Sequence, residues 1–439
     1  MKIINDIEVA KSTLLKRQPA ELQEVSDALK EQIKAIFGKE LLPQQAVEQI
    51  MADVEAHGDT ALRDYTKRID GIALSDLEVP SEEIRQAYIQ VDAETVSALR
   101  IAAERIRSFH EASKPRSWID FREGGLGQII SPLEKVGAYV PGGTATYPST
   151  VLMTVIPAKV AGVLEVTVVS PPGKDGKVPA STLVAADIAN ADRVFRIGGA
   201  QAIAALAFGT KSVPKVDKIC GPGNIFVQLA KRLAYGTVDI DGLFGPTEAI
   251  VIADETANAT YCAADLLAQA EHDPLASAIL ITNSANFATK VNKEIKHQLA
   301  KLDRKEIAIA SLEARGGIIV SSTLNEAIEL ANYYAPEHLS LLVTDAWSYL
   351  SNIRNAGGIF IGESSPEALG DYIAGPSHVM PTGGTARFRS ALNTNDFVKV
   401  TSILAINDQT LKTVGPPAAT IAKTEGFDGH ARALDIRLS

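Results

Sequence analysis

The chain has 439 residues, 46% of them hydrophobic and 22% charged, which is typical of globular proteins long enough to bury more than one core. Its formal net charge of −10 is unfavourable for binding a phosphate backbone or an anionic membrane, and no cluster of Lys and Arg offsets that charge. We therefore expect no nucleic acid and no membrane among its partners.

The sequence also predicts a soluble, cytoplasmic protein. No apolar run approaches the roughly 20 residues that span a bilayer, and the first residues lack the apolar segment of a signal peptide. The two cysteines, Cys220 and Cys262, have no CxxC spacing. Neither a disulfide framework nor a thiolate zinc site is expected.

The N-terminal part of the chain is helix-prone. Residues 7–39 are charged and carry only a weak apolar stripe, which is typical of an arm that packs on another element. From 43 to 113 the apolar residues recur at helical spacing, as in Val47, Ile50 and Val54. Long helices are predicted there.

Beyond Trp118, short apolar runs alternate with Ala-rich helical segments. This alternation predicts a parallel sheet with right-handed crossovers. The predicted strands are 136–140, 166–170, 194–197 and 216–220, and the predicted helices are 150–162, 180–191, 200–208 and 224–234.

A second array of the same kind follows the connector at 236–246. Two tandem arrays predict an α/β protein with two parallel-sheet domains and a ligand crevice between them. From 389 to 439 the alternation stops, so we expect a tail without a sheet of its own. The strands of the second array are 249–253, 278–282, 317–321, 339–343 and 358–361, with helices at 258–272, 285–302, 325–334 and 346–355.

Seven histidines are present, and three of them lie on charged helical stretches where a solvated position is expected. These three are His57, His110 and His297.

Gln269 and His272 stand three residues apart near the end of a predicted helix, on one face, so that both could bind one metal ion. Alternatively, His272 only stabilises the helix C-terminus.

Asp371 and His378 surround a Gly-Pro turn that can direct both side chains to one point. Nitrogen and oxygen donors without thiolates suit zinc or another divalent ion. Alternatively, Asp371 only caps a turn.

Glu337 and His338 begin a predicted strand, where neighbouring side chains normally diverge. Such a pair could transfer protons near neutral pH, or it could be structural.

Two glycine-containing loops could offer backbone N–H groups to a dinucleotide. One covers 141–145 after a predicted strand, and the other is Gly221-Pro222-Gly223-Asn224 before a predicted helix. Neither matches the GxGxxG fingerprint, and both compositions are also common in plain turns.

These segments together resemble the histidinol dehydrogenase family over nearly the whole chain and in the same order. The most specific stretch runs from Gly245-Pro246-Thr247-Glu248 through Ala263-Ala264-Asp265-Leu266-Leu267-Ala268-Gln269-Ala270-Glu271-His272. The others are Tyr139-Val140-Pro141-Gly142-Gly143, Gly198-Gly199-Ala200-Gln201, Gly221-Pro222-Gly223-Asn224, Ala335-Pro336-Glu337-His338-Leu339 and Gly370-Asp371-Tyr372.

The resemblance assigns roles to individual residues. It implies that Glu337 and His338 are the acid–base pair and that Tyr139, Gln201 and Asn224 contact NAD. Zinc would be held by Gln269, His272, Asp371 and His430, and the substrate by these four together with Thr247, His338, His378 and Glu425.

The resemblance also implies a domain organisation with two incomplete Rossmann-like domains. An N-terminal arm covers 1–30, the large α/β domain combines 31–138 with 247–388, and 139–246 binds NAD. The tail, 389–439, would be exchanged in an intertwined homodimer and enter the other subunit's site.

The activity implied is the two-step oxidation of L-histidinol through L-histidinal to L-histidine, at the end of histidine biosynthesis, with zinc and NAD. One alternative is the same chemistry on another polar alcohol, such as a dihydroxypropane sulfonate. Two more distant alternatives are a zinc hydrolase, in which the metal and the Glu–His pair activate water, and a catalytically silent NAD-binding protein.

Overall fold

The computed structural model describes residues 1–17, 27–142 and 146–439. The predicted arm and the first glycine loop therefore lie partly outside the described residues. The strands are β1 (Ile3–Ile4), β2 (Trp118–Asp120), β3 (Gly124–Pro132), β4 (Lys135–Tyr139), β5 (Glu165–Val169), β6 (Arg193–Phe195), β7 (Lys218–Cys220), β8 (Asp239–Ile240), β9 (Glu248–Ala253), β10 (Ser277–Thr282), β11 (Gly317–Val320), β12 (His338–Leu342), β13 (Gly358–Ile361) and β14 (Val398–Ile406).

Helices connect most of these strands. One prediction is wrong in type, because the segment predicted as an α-helix over 346–355 is a 3₁₀-helix, Ala346–Asn352. The helices are α1 (Ile7–Ser12), α2 (Asp27–Phe37), α3 (Pro43–His57), α4 (Asp59–Asp70), α5 (Ser81–Gln90), α6 (Ala93–Ala112), α7 (Pro148–Ala161), α8 (Ala180–Ile188), α9 (Gly199–Phe208), α10 (Ile225–Ala234), α11 (Ala259–Ala270), α12 (Ala285–Leu299), α13 (Lys305–Ala314), α14 (Leu324–Tyr334), α15 (Glu367–Tyr372), α16 (Asp408–Thr424) and α17 (Asp428–Leu438).

The first parallel sheet has five strands in the order β6-β5-β4-β7-β8. From the central strand β4 the chain builds outward to β5 and β6 on one side, then returns to place β7 and β8 on the other. The crossovers thus diverge between β4 and β7, and ligands of such sheets bind outside the carboxyl ends of the strands at this point. The predicted strands of the first array are confirmed.

The helices between 43 and 112 pack on this five-stranded sheet. Helix α3 contacts α9 and α10, while α5 and α6 contact α7 and α8. Val47 and Val54 of α3 share a core with Tyr139 and Phe195 of the sheet. The sequence-based division instead joined 31–138 to 247–388, and these domain bounds stay a prediction. Periodicity identified the buried face of these helices but not the sheet that covers it.

The second parallel sheet has six strands in the order β1-β11-β10-β9-β12-β13. Separate apolar cores lie on its two faces, one built around Val251 and Leu280 and the other around Ile250 and Ile279. The predicted strands of the second array are confirmed. The arm adds the edge strand β1, in which Ile3 pairs with Ile318. This strand was not expected from the sequence.

A third, antiparallel sheet has the order β14-β3-β2. Val398 pairs with Pro132 and Ile406 with Gly124, so the tail contributes a full strand. The expectation of a tail without a sheet is therefore wrong. The strand escaped prediction because its partner, β3, is remote in sequence and no helix alternates with it. Helices α16 and α17 pack on one another, and most of their side chains are exposed.

His110 is buried, with 0% exposure, where a solvated position was expected. It follows Ala103 and Ile106 along the inward face of α6. Neither ring nitrogen finds a hydrogen-bond partner among the described residues, and burial lowers the pKa of the imidazole to about 4. His57 and His297 are exposed as expected.

No helix within the described ranges has both the length and the apolar character needed to cross a membrane.

Candidate active site

A cluster of buried polar side chains lies at the amino ends of β9 and β12. Helix α14 ends at Ala335, whose left-handed backbone (φ 53°) turns the chain back towards the sheet. Glu337 and His338 follow directly. The Glu337 carbonyl accepts a hydrogen bond from Gly358 at 2.8 Å, which fixes this turn beside β13.

Glu337 and His338 converge although they are neighbours in sequence. Oε2 of Glu337 lies 3.5 Å from Nδ1 of His338. The same oxygen accepts hydrogen bonds from the Thr247 hydroxyl at 2.7 Å and from the Glu248 backbone N–H at 3.1 Å. Side chains of neighbouring residues in a strand were expected to point in opposite directions. Glu337 lies just before β12, however, and the Thr247 hydroxyl and the Glu248 N–H hold its side chain beside His338.

Asp371 faces the other ring nitrogen of His338, with Oδ1 3.4 Å from Nε2. The imidazole is 3% exposed, and burial by itself would lower its pKa. The nearby carboxylates of Glu337 and Asp371 outweigh burial and raise the pKa of His338 well above its usual value. The ring also stacks on Phe360, with centroids 5.6 Å apart.

The pKa of the Asp371 carboxyl is shifted as well, by the imidazoles around it. Burial would raise the pKa of this carboxyl, but the nearby imidazoles of His338, His378 and His272 hold it below its usual value. His272 lies at the exposed rim, just after α11. The structure therefore brings the expected residues Asp371, His272 and His338 within electrostatic range of one another.

Gln269 completes this group from the last turn of α11. Its Oε1 lies 2.8 Å from Oγ1 of Thr247, whose single hydroxyl hydrogen is shared between Gln269 and Glu337, and the Gln269 side chain is buried. Gln269, His272 and Asp371 offer the mixed oxygen and nitrogen donors that zinc accepts. Within the ranges that the structure describes, no three or more His, Cys, Asp or Glu side chains form a cluster that could hold a metal. The carboxamide is thus an essential part of this candidate set.

His378 is held in one tautomer beside the cluster. Its Nδ1 lies 2.6 Å from the carbonyl oxygen of Asp371, so this nitrogen carries the hydrogen. Its Nε2 then accepts from the Thr150 hydroxyl at 3.2 Å. Burial lowers the pKa of His378, which favours the neutral ring.

Two expected site residues lie elsewhere in the single chain. Glu425 and His430 are exposed, at the end of α16 and in α17. The ring of His430 contacts Phe427, within its own tail, with centroids 5.4 Å apart. Their contribution to the site stays a prediction.

The three residues expected to contact NAD lie at the carboxyl ends of the five-stranded sheet. The Tyr139 hydroxyl, at the end of β4, accepts the Gly199 N–H at 3.2 Å. Gly199 has φ 63°, and a Cβ there would stand 2.7 Å from Oε1 of Gln201. Tyr139 and Gln201 therefore meet at the start of α9. Asn224 caps α10 by accepting from the N–H groups of Phe226 and Val227.

A buried ion pair that the sequence did not reveal holds the second glycine loop. Asp241 accepts the Gly221 N–H at 2.6 Å, and Lys231 donates to the Gly221 carbonyl at 3.0 Å. Lys231 and Asp241 also pair with each other. The lysine stands on the apolar face of α10, and this was the available signal for a buried role.

Glu367 is a second residue that the sequence analysis missed. It begins α15 and is 1% exposed. Burial raises its pKa to about 7, although the charge of His338 and hydrogen bonds from Ser340 and Gln269 oppose the shift. Its position four residues before Asp371, on the same helix face, was the available signal.

A cleft of about 1800 Å³ lies beside the connector between the two parallel sheets. It is lined by Asn224 at the start of α10, by Phe244 of the connector, and by Glu248 and Tyr334 beside the buried polar cluster.

The family model of histidinol dehydrogenase matches residues 38–438. The chain belongs to the histidinol dehydrogenase family. It is 51% identical over 417 residues to the histidinol dehydrogenase of Deinococcus radiodurans, covering 94% of this chain and 95% of that one. The histidinol dehydrogenase of Dehalococcoides mccartyi strain CBDB1 is 54% identical over 398 residues, covering 90% and 91%.

A solved structure agrees with this assignment. The crystal structure of histidinol dehydrogenase from Elizabethkingia anophelis superposes with a TM-score of 0.92 at 35% identity, covering 100% of this chain and 98% of that one. The predicted α/β class and the family resemblance are confirmed, and the chain is an oxidoreductase. The relatives named here carry one activity, which favours neither the dihydroxypropane sulfonate alternative nor the hydrolase.

Proposed function

We propose that this histidinol dehydrogenase family member oxidises L-histidinol through L-histidinal to L-histidine. Each step passes one hydride to an NAD, and water supplies the second carboxylate oxygen. The observation that carries the proposal is the convergence of Glu337, His338 and Asp371 in one buried cluster. Family membership supports the choice of substrate and of cofactor.

His338 and Glu337 are the proposed proton acceptors. A cation held by Asp371 would oppose the raised pKa of His338 and favour the neutral ring. The neutral His338 would then take the proton of the substrate hydroxyl while the carbinol hydrogen leaves as hydride. Glu337 takes a proton from the water that adds to the aldehyde, and the resulting hydrate gives the second hydride. The 3.5 Å separation of Oε2 and Nδ1 supports a shared reaction space for both residues.

Zinc is the proposed metal. Gln269, His272 and Asp371 would hold it, with His430 as the fourth ligand. When bound, zinc supplies a Lewis acid and a template for the substrate's nitrogens. Thr247, His378 and Glu425 are proposed to contact the substrate together with these ligands and His338. The buried hydrogen bonds of Thr247 and His378 support their roles because they fix both side chains at the cluster.

NAD is proposed to lie along the carboxyl ends of β4 and β7, against Tyr139, Gln201 and Asn224. Two helix N-termini, those of α9 and α10, start at this edge and suit the negative charge of a pyrophosphate. We keep 139–246 as the centre of the NAD-binding unit.

A cytoplasmic homodimer with exchanged tails is proposed to complete each site. In the single chain Ile421, Phe427 and Ile436 of the tail are exposed apolar side chains. A second subunit that covers them would also receive Glu425 and His430, the two site residues that lie outside the cluster in one chain.

NADH formation tests the proposed function directly. Purified protein is mixed with NAD and L-histidinol, and absorbance of NADH is followed until the substrate is consumed. Two NADH for each L-histidinol, with L-histidine as the product, are expected. No NADH from L-histidinol, but turnover of a dihydroxypropane sulfonate or of an ester, would reject it.

A further inference from the structure

Arg17, in the N-terminal arm, lies against the turn that carries Glu337, although the proposed mechanism does not use it. Leu15, two residues before it, is 1% exposed and shares a core with Tyr334 of α14. The guanidinium of Arg17 stacks on the Tyr334 ring, with Cζ 3.8 Å from the ring centroid. The arm is therefore anchored on the end of α14 that leads into this turn.

The guanidinium also binds the backbone at the end of α14. Its Nη2 donates to the carbonyl oxygens of Tyr334 at 2.6 Å and Ala335 at 3.0 Å, and its Nε donates to the Tyr334 carbonyl at 3.1 Å. The last carbonyls of a helix have no partners within the helix and form the negative end of its dipole. Arg17 supplies the hydrogens and the positive charge that this helix end lacks. It thereby fixes the backbone two residues before Glu337.

The same guanidinium binds β9, on the other side of the Glu337 carboxylate. Its Nη1 forms an ion pair with Oε1 of Glu248, a residue that is 6% exposed. The backbone N–H of Glu248 donates to Oε2 of Glu337 at 3.1 Å. One planar group with several N–H donors thus joins the turn that carries Glu337 to the residue that holds the Glu337 carboxylate.

We propose that Arg17 is a positioning residue, which holds the Glu337 carboxylate where it can take a proton from water. The inference rests on the proposed role of Glu337 in aldehyde oxidation, and it gives the N-terminal arm a part in the reaction. A displacement of about 1 Å at a catalytic group can cost about 100-fold in rate. Loss of the contacts of Arg17 should therefore slow the step that uses Glu337.

A purely structural role for Arg17 makes a different prediction. Removing the arginine would leave Glu248 buried without its cation, which lowers the stability of the protein and affects both half-reactions alike. Arg387 offers a matched control, because it donates to the carbonyl oxygen of Tyr333 at the same end of α14. It is exposed, and its contact lies further from Glu337 than those of Arg17.

Single-turnover NADH formation from L-histidinol and from L-histidinal tests the inference in the full-length protein. We expect Arg17→Gln to slow aldehyde oxidation more than alcohol oxidation, by up to about 100-fold, because only the aldehyde step uses Glu337. Arg387→Gln should leave the ratio of the two rates nearly unchanged. Thermal midpoints report whether each variant folds.

Arg17→Lys keeps the inference testable if Arg17→Gln does not fold. Lysine retains a cation opposite Glu248, but its ammonium lacks the planar fork that reaches both carbonyls and the carboxylate. It should therefore shift the ratio of the two rates in the same direction as Arg17→Gln, with a smaller loss of stability.

The double variant Arg17→Gln with Glu337→Gln shows whether Arg17 acts through Glu337. If it does, Arg17 has no carboxylate left to position in this background. The double variant should then oxidise the aldehyde at a rate within about twofold of that of Glu337→Gln alone.

Two results would overturn the inference. One is an equal loss in both half-reactions when Arg17 is replaced by Gln or by Lys. The other is a further loss in the double variant as large as the loss that Arg17→Gln causes by itself. A failure of the proposed function would be visible separately, because the unmodified chain would then form no NADH from L-histidinol, and the inference would fall with it.

Discussion

Oε2 of Glu337 and Nδ1 of His338 lie 3.5 Å apart although the residues are neighbours in sequence. The geometry places a carboxylate and an imidazole at one point, where a reaction with two different proton transfers needs them. Because Asp371 faces the opposite nitrogen of the same ring, His338 is held between two carboxylates. Their roles can be separated by supplying the alcohol or the aldehyde.

Glu337→Gln should impair aldehyde oxidation more than alcohol oxidation, since only the aldehyde step needs an activated water. His338→Asn should slow both steps. A loss of about 100- to 10,000-fold in kcat is the usual effect of removing a positioned acid or base. Single-turnover NADH formation from L-histidinol and from L-histidinal measures each step. Slower alcohol oxidation alone in Glu337→Gln would show the assignment to be wrong.

Removing divalent metal should abolish activity, and adding zinc should restore it. The expectation follows from the proposal that Gln269, His272 and Asp371 hold zinc together with His430. Activity is measured after dialysis against a chelator, with a chelator already saturated with zinc as the control. Full activity in a preparation that elemental analysis finds free of metal would contradict the proposed zinc dependence.

His430 should act on the other subunit's site. Chains carrying His430→Ala and His338→Ala are each expected to be inactive as homodimers. In a mixed dimer with exchanged tails, the His430→Ala body receives an intact tail, so one of two sites recovers. If each tail served its own body, every site would keep one lesion.

Co-refolding the two variants and measuring NADH formation distinguishes these arrangements. Mass spectrometry of the intact assembly confirms that mixed dimers are present. Verified mixed dimers without any activity would mean that the tails are not exchanged.

His110 should make the protein sensitive to mild acid. Burial lowers its pKa to about 4 in the folded chain, whereas an unfolded imidazole titrates near about 6.5. As pH falls below about 6.5 the unfolded state takes up the proton first, so stability is lost down to about pH 4. The loss from this group is at most about 3 kcal/mol.

His110→Leu should remove this component. Denaturant unfolding of the unmodified chain and the variant is compared at several pH values between about 4 and 7. His297→Leu, at an exposed position, controls for the loss of one histidine from the chain. Equal pH dependence in the unmodified chain and His110→Leu would mean that His110 is not kept neutral by folding.

The sequence by itself determined the two parallel arrays. Runs such as 249–253 and 278–282 are apolar throughout because both faces of a parallel sheet are covered, and this pattern is local. Motif order also determined the family, and the site residues that it implied stay predictions. In the structure Asp371 faces His338, and Thr247 lies between Gln269 and Glu337.

The tertiary structure alone decided which surfaces pair. The apolar stripe of α3 fits either sheet in principle, and only the assembled structure shows that it packs on α9 and α10 and shares a core with Phe195. Likewise, β14 becomes a strand because β3 offers an open edge, which no local pattern encodes.

Burial of polar groups also depended on the fold. His110 and Glu367 have sequence neighbours typical of a surface helix, yet both are buried because long-range packing covers their helix faces. The convergence of Glu337 with His338 has the same origin, since Thr247 and the Glu248 backbone draw the carboxylate inward. Local sequence determines which polar side chains a helix or strand carries. Contacts between remote segments determine the partners of those side chains, and through the partners their charge state and chemistry.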